Sequence, residues 1–132
     1  WEKHNVSGNN FVANNYSEYP TFFNYIEDVI GTSVPLTWVD PINTISIVNW
    51  TPINEYILSG VVDYSPLEPL SDLEVFESVK DVLVNNDPIA GDVIFVHFDE
   101  LDGAGHGYGY SADVDEYVST LGIIDGYILR TG

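Results

Sequence analysis

The nearly continuous apolar run Val93-Ile94-Phe95-Val96-His97-Phe98 constrains this chain more than any other feature. A strand with one wet face alternates apolar and polar residues, so an uninterrupted run reads as a strand covered on both faces. A second segment, Thr44 to Trp50 (TISIVNW), is β-branched and mostly apolar, hence read as a buried strand, and Thr51-Pro52 breaks it. Between the two, Ser71 opens the best-signed helix. Ser71 and Glu74 form a capping box, and Val75, Phe76, Val79, Val82 and Leu83 give one apolar face to about Asn85. Asn86-Asp87-Pro88 stops it.

Helical spacing of Tyr19, Phe22, Phe23, Ile26 and Ile30 predicts an earlier helix from Ser17 to Ile30, with Pro20 in its first turn and Gly31 closing it. A last helix is expected to begin near Asp113 and to direct Tyr117, Leu121, Ile124 and Ile128 toward the core. The aromatic residues on the helices fall on faces read as core. Residues 1–16 read as loop, 32–43 (with Pro35 and Pro41) as a connection, 53–58 as a short helix or turn, and Pro66 and Pro69 as marking another loop. The order helix, strand, helix, strand, helix is that of an α/β fold, a layered sheet flanked by helices. No internal repeat is visible.

A length of 132 residues fits one compact domain. With 45% hydrophobic residues the chain fills a core, which argues against disorder despite a net charge of −18. Lys3, Lys80 and Arg130 are the only basic residues against 21 carboxylates, and they are scattered. A face that displaces counterions from phosphates needs more, so nucleic acid and anionic lipid are excluded as sequence-independent partners. The absence of cysteine excludes disulfides and cysteine-ligated zinc. No apolar run approaches the roughly 18 residues of a membrane span. The acidic excess suits a high-salt or cation-rich exterior, or is simply a soluble surface. Asn-X-Ser/Thr sequons at Asn5, Asn15 and Asn49 point to a secreted, glycosylated protein, with Asn49, in a strand-like segment, the least accessible. Neither an initiator Met nor a signal peptide is present, so a processed chain or a piece of a longer one is expected.

The chemistry concentrates at Asp99-Glu100-Leu101-Asp102-Gly103-Ala104-Gly105-His106-Gly107-Tyr108-Gly109, where carboxylates and one histidine follow the apolar strand in a glycine-rich loop. The carboxyl end of a strand is where α/β sheets bind ligands. Asp102 and His106, four apart, offer the oxygen and nitrogen donors that zinc accepts; an acidic turn with a solvated histidine is the alternative. His97 reads as a core histidine hydrogen-bonded to a neighbour, while His4, in a polar loop, is unassigned. Asp113, Asp115 and Glu116 resemble a calcium cluster but lack its spacing, and a helix dipole accounts for carboxylates in a first turn. No nucleophile elbow or phosphate loop is present.

The stretch Phe95 to Gly109 resembles the D-x-x-G-H strand and loop of the alkaline phosphatase superfamily, in its nucleotide pyrophosphatase/type I phosphodiesterase branch. Trp1-Glu-Lys-His-Asn-Val6, Asn14 to Phe23 and Ser46 to Asn54 resemble bacterial members in the same order. The resemblance implies a two-zinc phosphodiesterase in which Asp102 and His106 are two of the three protein ligands of one zinc and a Thr or Ser bound to the other attacks phosphorus. It places the nucleophile and remaining ligands outside this chain, which then corresponds to an interior slice of a larger catalytic domain. Taken alone, this chain is not expected to turn over a small phosphate ester. Its implied contacts are the rest of that domain or a second copy. Gly103 stands where members commonly have histidine, and Asn5 where they have glycine. The competing expectation is a non-catalytic, acidic extracellular assembly domain on the same scaffold.

Overall fold

A computed structural model describes residues 3–33 and 42–130. They form helices α1 (Phe22–Ser33), α2 (Asp72–Asn85), α3 (Glu100–Tyr108) and α4 (Asp115–Ile128), strands β1 (Thr44–Val48) and β2 (Val93–His97), and a π-helical turn at Ile53–Ile57. The architecture is mixed α/β around a small sheet. β1 and β2 pair in parallel, in a register running from Thr44 opposite Val93 to Val48 opposite His97. Parallel neighbours need a crossover, and α2 lies within it. Both strands therefore end on one side of the molecule, where α2 begins.

Strand alternation divides the apolar residues between two clusters. Ile45 and Ile47 of β1 join Val75, Val79 and Val82 of α2, with Ile94 and Val96 of β2 packed against them. Val48 joins Phe23, Ile53 and Leu58, with Val93 and Phe95 packed against those. The polar residues of β1 carry their own partners inside. Ser46 Oγ donates to Asn54 Oδ1 at 2.6 Å, and Thr44 Oγ1 donates to Glu27 Oε1 at 2.5 Å. Buried hydroxyls without such acceptors would cost more than their packing returns.

The strand covered on both faces is β1. Every β1 residue is buried, whereas every residue of β2 is half-buried. β1 is thus buried as expected, and only β2 departs from the reading; sheet position explains the difference. On its edge away from β2, β1 meets Tyr64, whose carbonyl accepts from Ser46 N–H at 2.9 Å; among the described residues β2 has a strand partner only in β1. Both strands are also shorter than expected, ending before Asn49 and before Phe98.

The capping box of α2 forms as expected: Glu74 N–H donates to Ser71 Oγ while the Glu74 carboxylate accepts from Ser71 N–H at 2.8 Å. Asn86 ends the helix with φ of 53°, a left-handed cap that asparagine tolerates. Val75, Phe76, Val79 and Val82 are buried, but Leu83 is exposed.

α1 starts later than expected. Asn24 Oδ1 accepts from both the N–H and the hydroxyl of Thr21, closing the first turn there and leaving Pro20 outside the helix. Residues 17–19 instead fold back, Glu18 and Tyr19 N–H both donating to the Asn15 carbonyl. Gly31 lies inside α1, and most of the expected connection at 32–43, including Pro35 and Pro41, lies outside the described residues. Not all helical aromatics face the core: Phe22, Tyr25 and Tyr108 are exposed.

α4 begins at Asp115, leaving Asp113 in the preceding turn. Of its expected core residues only Ile124 is buried; Tyr117 is half-buried, and Leu121 and Ile128 are exposed. Instead Tyr127 carries much of the packing, its ring stacked on Phe76 at 5.0 Å and lying 6.1 Å from Phe98. Among the described residues no helix is long and apolar enough to cross a membrane.

Candidate metal-ligand pair on the third helix

The common carboxyl end of the two strands is organised by Asp72, the first residue of α2, which is fully buried. Its Oδ1 accepts from Asn49 Nδ2 and from Asp99 N–H, each at 2.9 Å, and its Oδ2 accepts from Glu100 N–H at 3.1 Å. Glu100 Oε1 in turn accepts from Asp72 N–H at 3.1 Å. The first turns of two helices are thus capped reciprocally, each by the other's carboxylate. Free N–H groups at a helix start need acceptors, and anions there are favoured by the helix dipole.

This anchor accounts for the main departure from expectation at the site. The glycine-rich stretch after β2 is the helix α3 through Tyr108, not a loop. Three internal glycines each cost about 1 kcal/mol of helix propensity relative to alanine. Capping by Asp72 and packing against α4 offset that cost. Gly105 is buried, and a Cβ there would overlap the Tyr110 ring. Gly103 and Gly107 have open space around them, and Gly109, just past the helix, takes a φ of 116° that favours glycine.

In the helix, Asp102 and His106 sit one turn apart on one face. Asp102 Oδ2 and His106 Nε2 are 3.4 Å apart, with side chains 58% and 75% exposed. Zinc binds such oxygen and nitrogen donors at about 2.0–2.2 Å, and tetrahedral bonds of that length put neighbouring donors about 3.3–3.5 Å apart. The pair therefore fits one edge of a tetrahedral zinc site. Two donors do not complete it, and among the described residues no group of three His, Cys, Asp or Glu side chains converges.

Tyr110 completes the cluster. Its hydroxyl donates to Asp102 Oδ1 at 2.7 Å, and its ring meets the His106 ring edge-on at 5.5 Å. The hydrogen bond to Asp102, followed by desolvation and the negative charge nearby, pushes the Tyr110 hydroxyl up to about 12. It stays protonated, and so a donor, at neutral pH.

The other candidates are placed as follows. His97 is not a hydrogen-bonded core histidine: its side chain is 30% exposed, its buried Nδ1 has no hydrogen-bond partner among the described residues, and its Nε2 lies 4.0 Å from Asp99 Oδ1. Asp113, Asp115 and Glu116 are all exposed, the last two in the first turn of α4. Asn5 is exposed, Asn15 is half-buried, and half-buried Asn49 commits its Nδ2 to Asp72.

His4 and Tyr16 line two apolar clefts of about 410 and 470 Å³, one with Phe11 and Trp50 and the other with Phe22 and Phe23; neither is lined by Asp102 or His106. Asn5 has φ of 54°, where glycine is most at ease and asparagine next, and a Cβ at position 103 would meet nothing within 4 Å.

Asp72 and Tyr110 were not legible as site residues. An Asp after an N-cap reads as dipole compensation, and nothing local ties it to Asp99. The only signal for Tyr110 was an aromatic closely following a run of glycines. The chain matches no protein-family model, and no curated protein and no solved structure matches it either.

Proposed function

We propose that Asp102 and His106 are two of the protein ligands of a zinc centre in a secreted phosphodiesterase or nucleotide pyrophosphatase of the alkaline phosphatase type. On this proposal the chain is an interior part of the catalytic domain. The carrying observation is the 3.4 Å separation of Asp102 Oδ2 and His106 Nε2 on one helix face just beyond a strand's carboxyl end. The half-buried residues of β2 support the same reading, because a strand inside a larger sheet would have its second edge paired.

In this reading Asp102 supplies the charged oxygen donor and His106 the neutral nitrogen donor. Asp72 holds the start of α3, the helix that carries both side chains, at the strand ends. A bound zinc ion would supply Lewis-acid stabilisation of charge on a phosphoryl oxygen. The substrate class is a phosphate diester or pyrophosphate.

The test is zinc-dependent hydrolysis of bis-p-nitrophenyl phosphate by the complete protein that carries this chain. Asp102→Ala is expected to abolish turnover, whereas Asp115→Ala, at the start of α4, leaves it intact. An unchanged rate in Asp102→Ala refutes the proposal.

A further inference from the structure

We propose that Tyr110 is the positioning residue of this site, occupying Asp102 Oδ1 so that Oδ2 alone is left to face His106. The inference rests on the reading of Asp102 and His106 as ligands. The Tyr110 hydroxyl reaches Oδ1 at 2.7 Å and the Asp102 carbonyl at 3.2 Å. The ring itself is held from three sides. It fills the space over Gly105 that a Cβ would need, meets His106 edge-on at 5.5 Å, and meets Tyr117 of α4 edge-on at 5.8 Å.

An exposed carboxylate is otherwise free about its terminal torsion, which is broad and two-fold. With Oδ1 engaged, that torsion is set, and Oδ2 is presented at the 3.4 Å separation from His106 Nε2. The same ring, edge-on to the imidazole, restricts His106. Tyr110 thus orders both donors without being a ligand. Outer partners of metal ligands contribute through such orientation, and their loss typically costs about 10–100-fold in affinity.

The test is a zinc chloride titration of the complete protein that carries this chain, stripped of metal and followed by NMR at the His106 ring. Tyr110→Phe keeps the ring and removes only the hydroxyl. It is expected to weaken zinc binding roughly ten- to a hundredfold and, without metal, to shift the Asp102 ¹³Cγ resonance. Gly105→Ala, which displaces the ring, is expected to do the same. Wild-type zinc affinity and an unmoved ¹³Cγ resonance in Tyr110→Phe overturn the role of Tyr110 alone. No response of His106 to zinc in the wild type overturns the ligand assignment, and this inference with it.

Discussion

Replacing Asp72 by alanine removes a buried carboxylate and strands the donors that converge on it: Asp99 N–H, Glu100 N–H and Asn49 Nδ2. Hydrogen bonds to a charged group contribute about 1.5–3 kcal/mol each, so three would sum to roughly 4.5–9 kcal/mol if all were lost without relief. Relief is available. Asn49 is half-buried and can turn toward water, and the first turn of α3 can fray enough to hydrate its N–H groups. The expected net loss is about 3–4 kcal/mol, a large part of the roughly 5–15 kcal/mol that stabilises a typical domain.

Urea denaturation followed by tryptophan fluorescence measures this loss as a lowered midpoint. Hydrogen exchange at the Asp99 and Glu100 amides reports its location. Both amides are expected to lose protection before the rest of α3, because they are the ones Asp72 caps. A destabilisation below about 0.5 kcal/mol, which is the size of an ordinary surface change, with both amides still protected, would refute the anchoring role.

Two further outcomes follow from local geometry. Glu74 is held below its ordinary value of 4.5 by the backbone and side-chain hydrogen bonds from Ser71, so it contributes stability that is full above pH 4.5 and lost as pH falls through the lowered value. Glu74→Gln should flatten that part of the acid limb in thermal melts; an unchanged limb contradicts the capping argument. Gly103→Ala places its Cβ in open space within α3 and should stabilise the protein by about 0.5–1 kcal/mol in the same urea assay, whereas a loss would mean that the helical glycine is needed.

How much of the fold could be read depended on how local its causes were. α2 was legible at both ends because its signals lie within a turn of those ends: Ser71 with Glu74 at the start and Asn86 at the stop. The start of α1 was misplaced because periodicity extends back to Tyr19, while the side chain that closes the first turn belongs to Asn24. The glycine-rich segment failed as a loop prediction for a non-local reason. Asp72, which caps it, lies 27 residues upstream of Asp99. Asp102 and His106 were legible as a chemical pair in either conformation, but a spacing of four places them on one face only in a helix.

By itself the sequence determined the mixed α/β character, the two strands, the capped helix between them, and the exclusion of disulfides. These rest on side-chain type and short-range spacing, which act along the chain. The tertiary structure decided that β2, expected to be covered like β1, is only half-buried, because among the described residues β1 has neighbours on both edges and β2 on one. It also decided that the glycine-rich segment is helical, since α3 forms through a carboxylate delivered by α2 and a tyrosine ring laid over Gly105. The 3.4 Å approach of Asp102 to His106 follows from that helix. Residue types supplied the donors, and contacts distant in sequence set where they point.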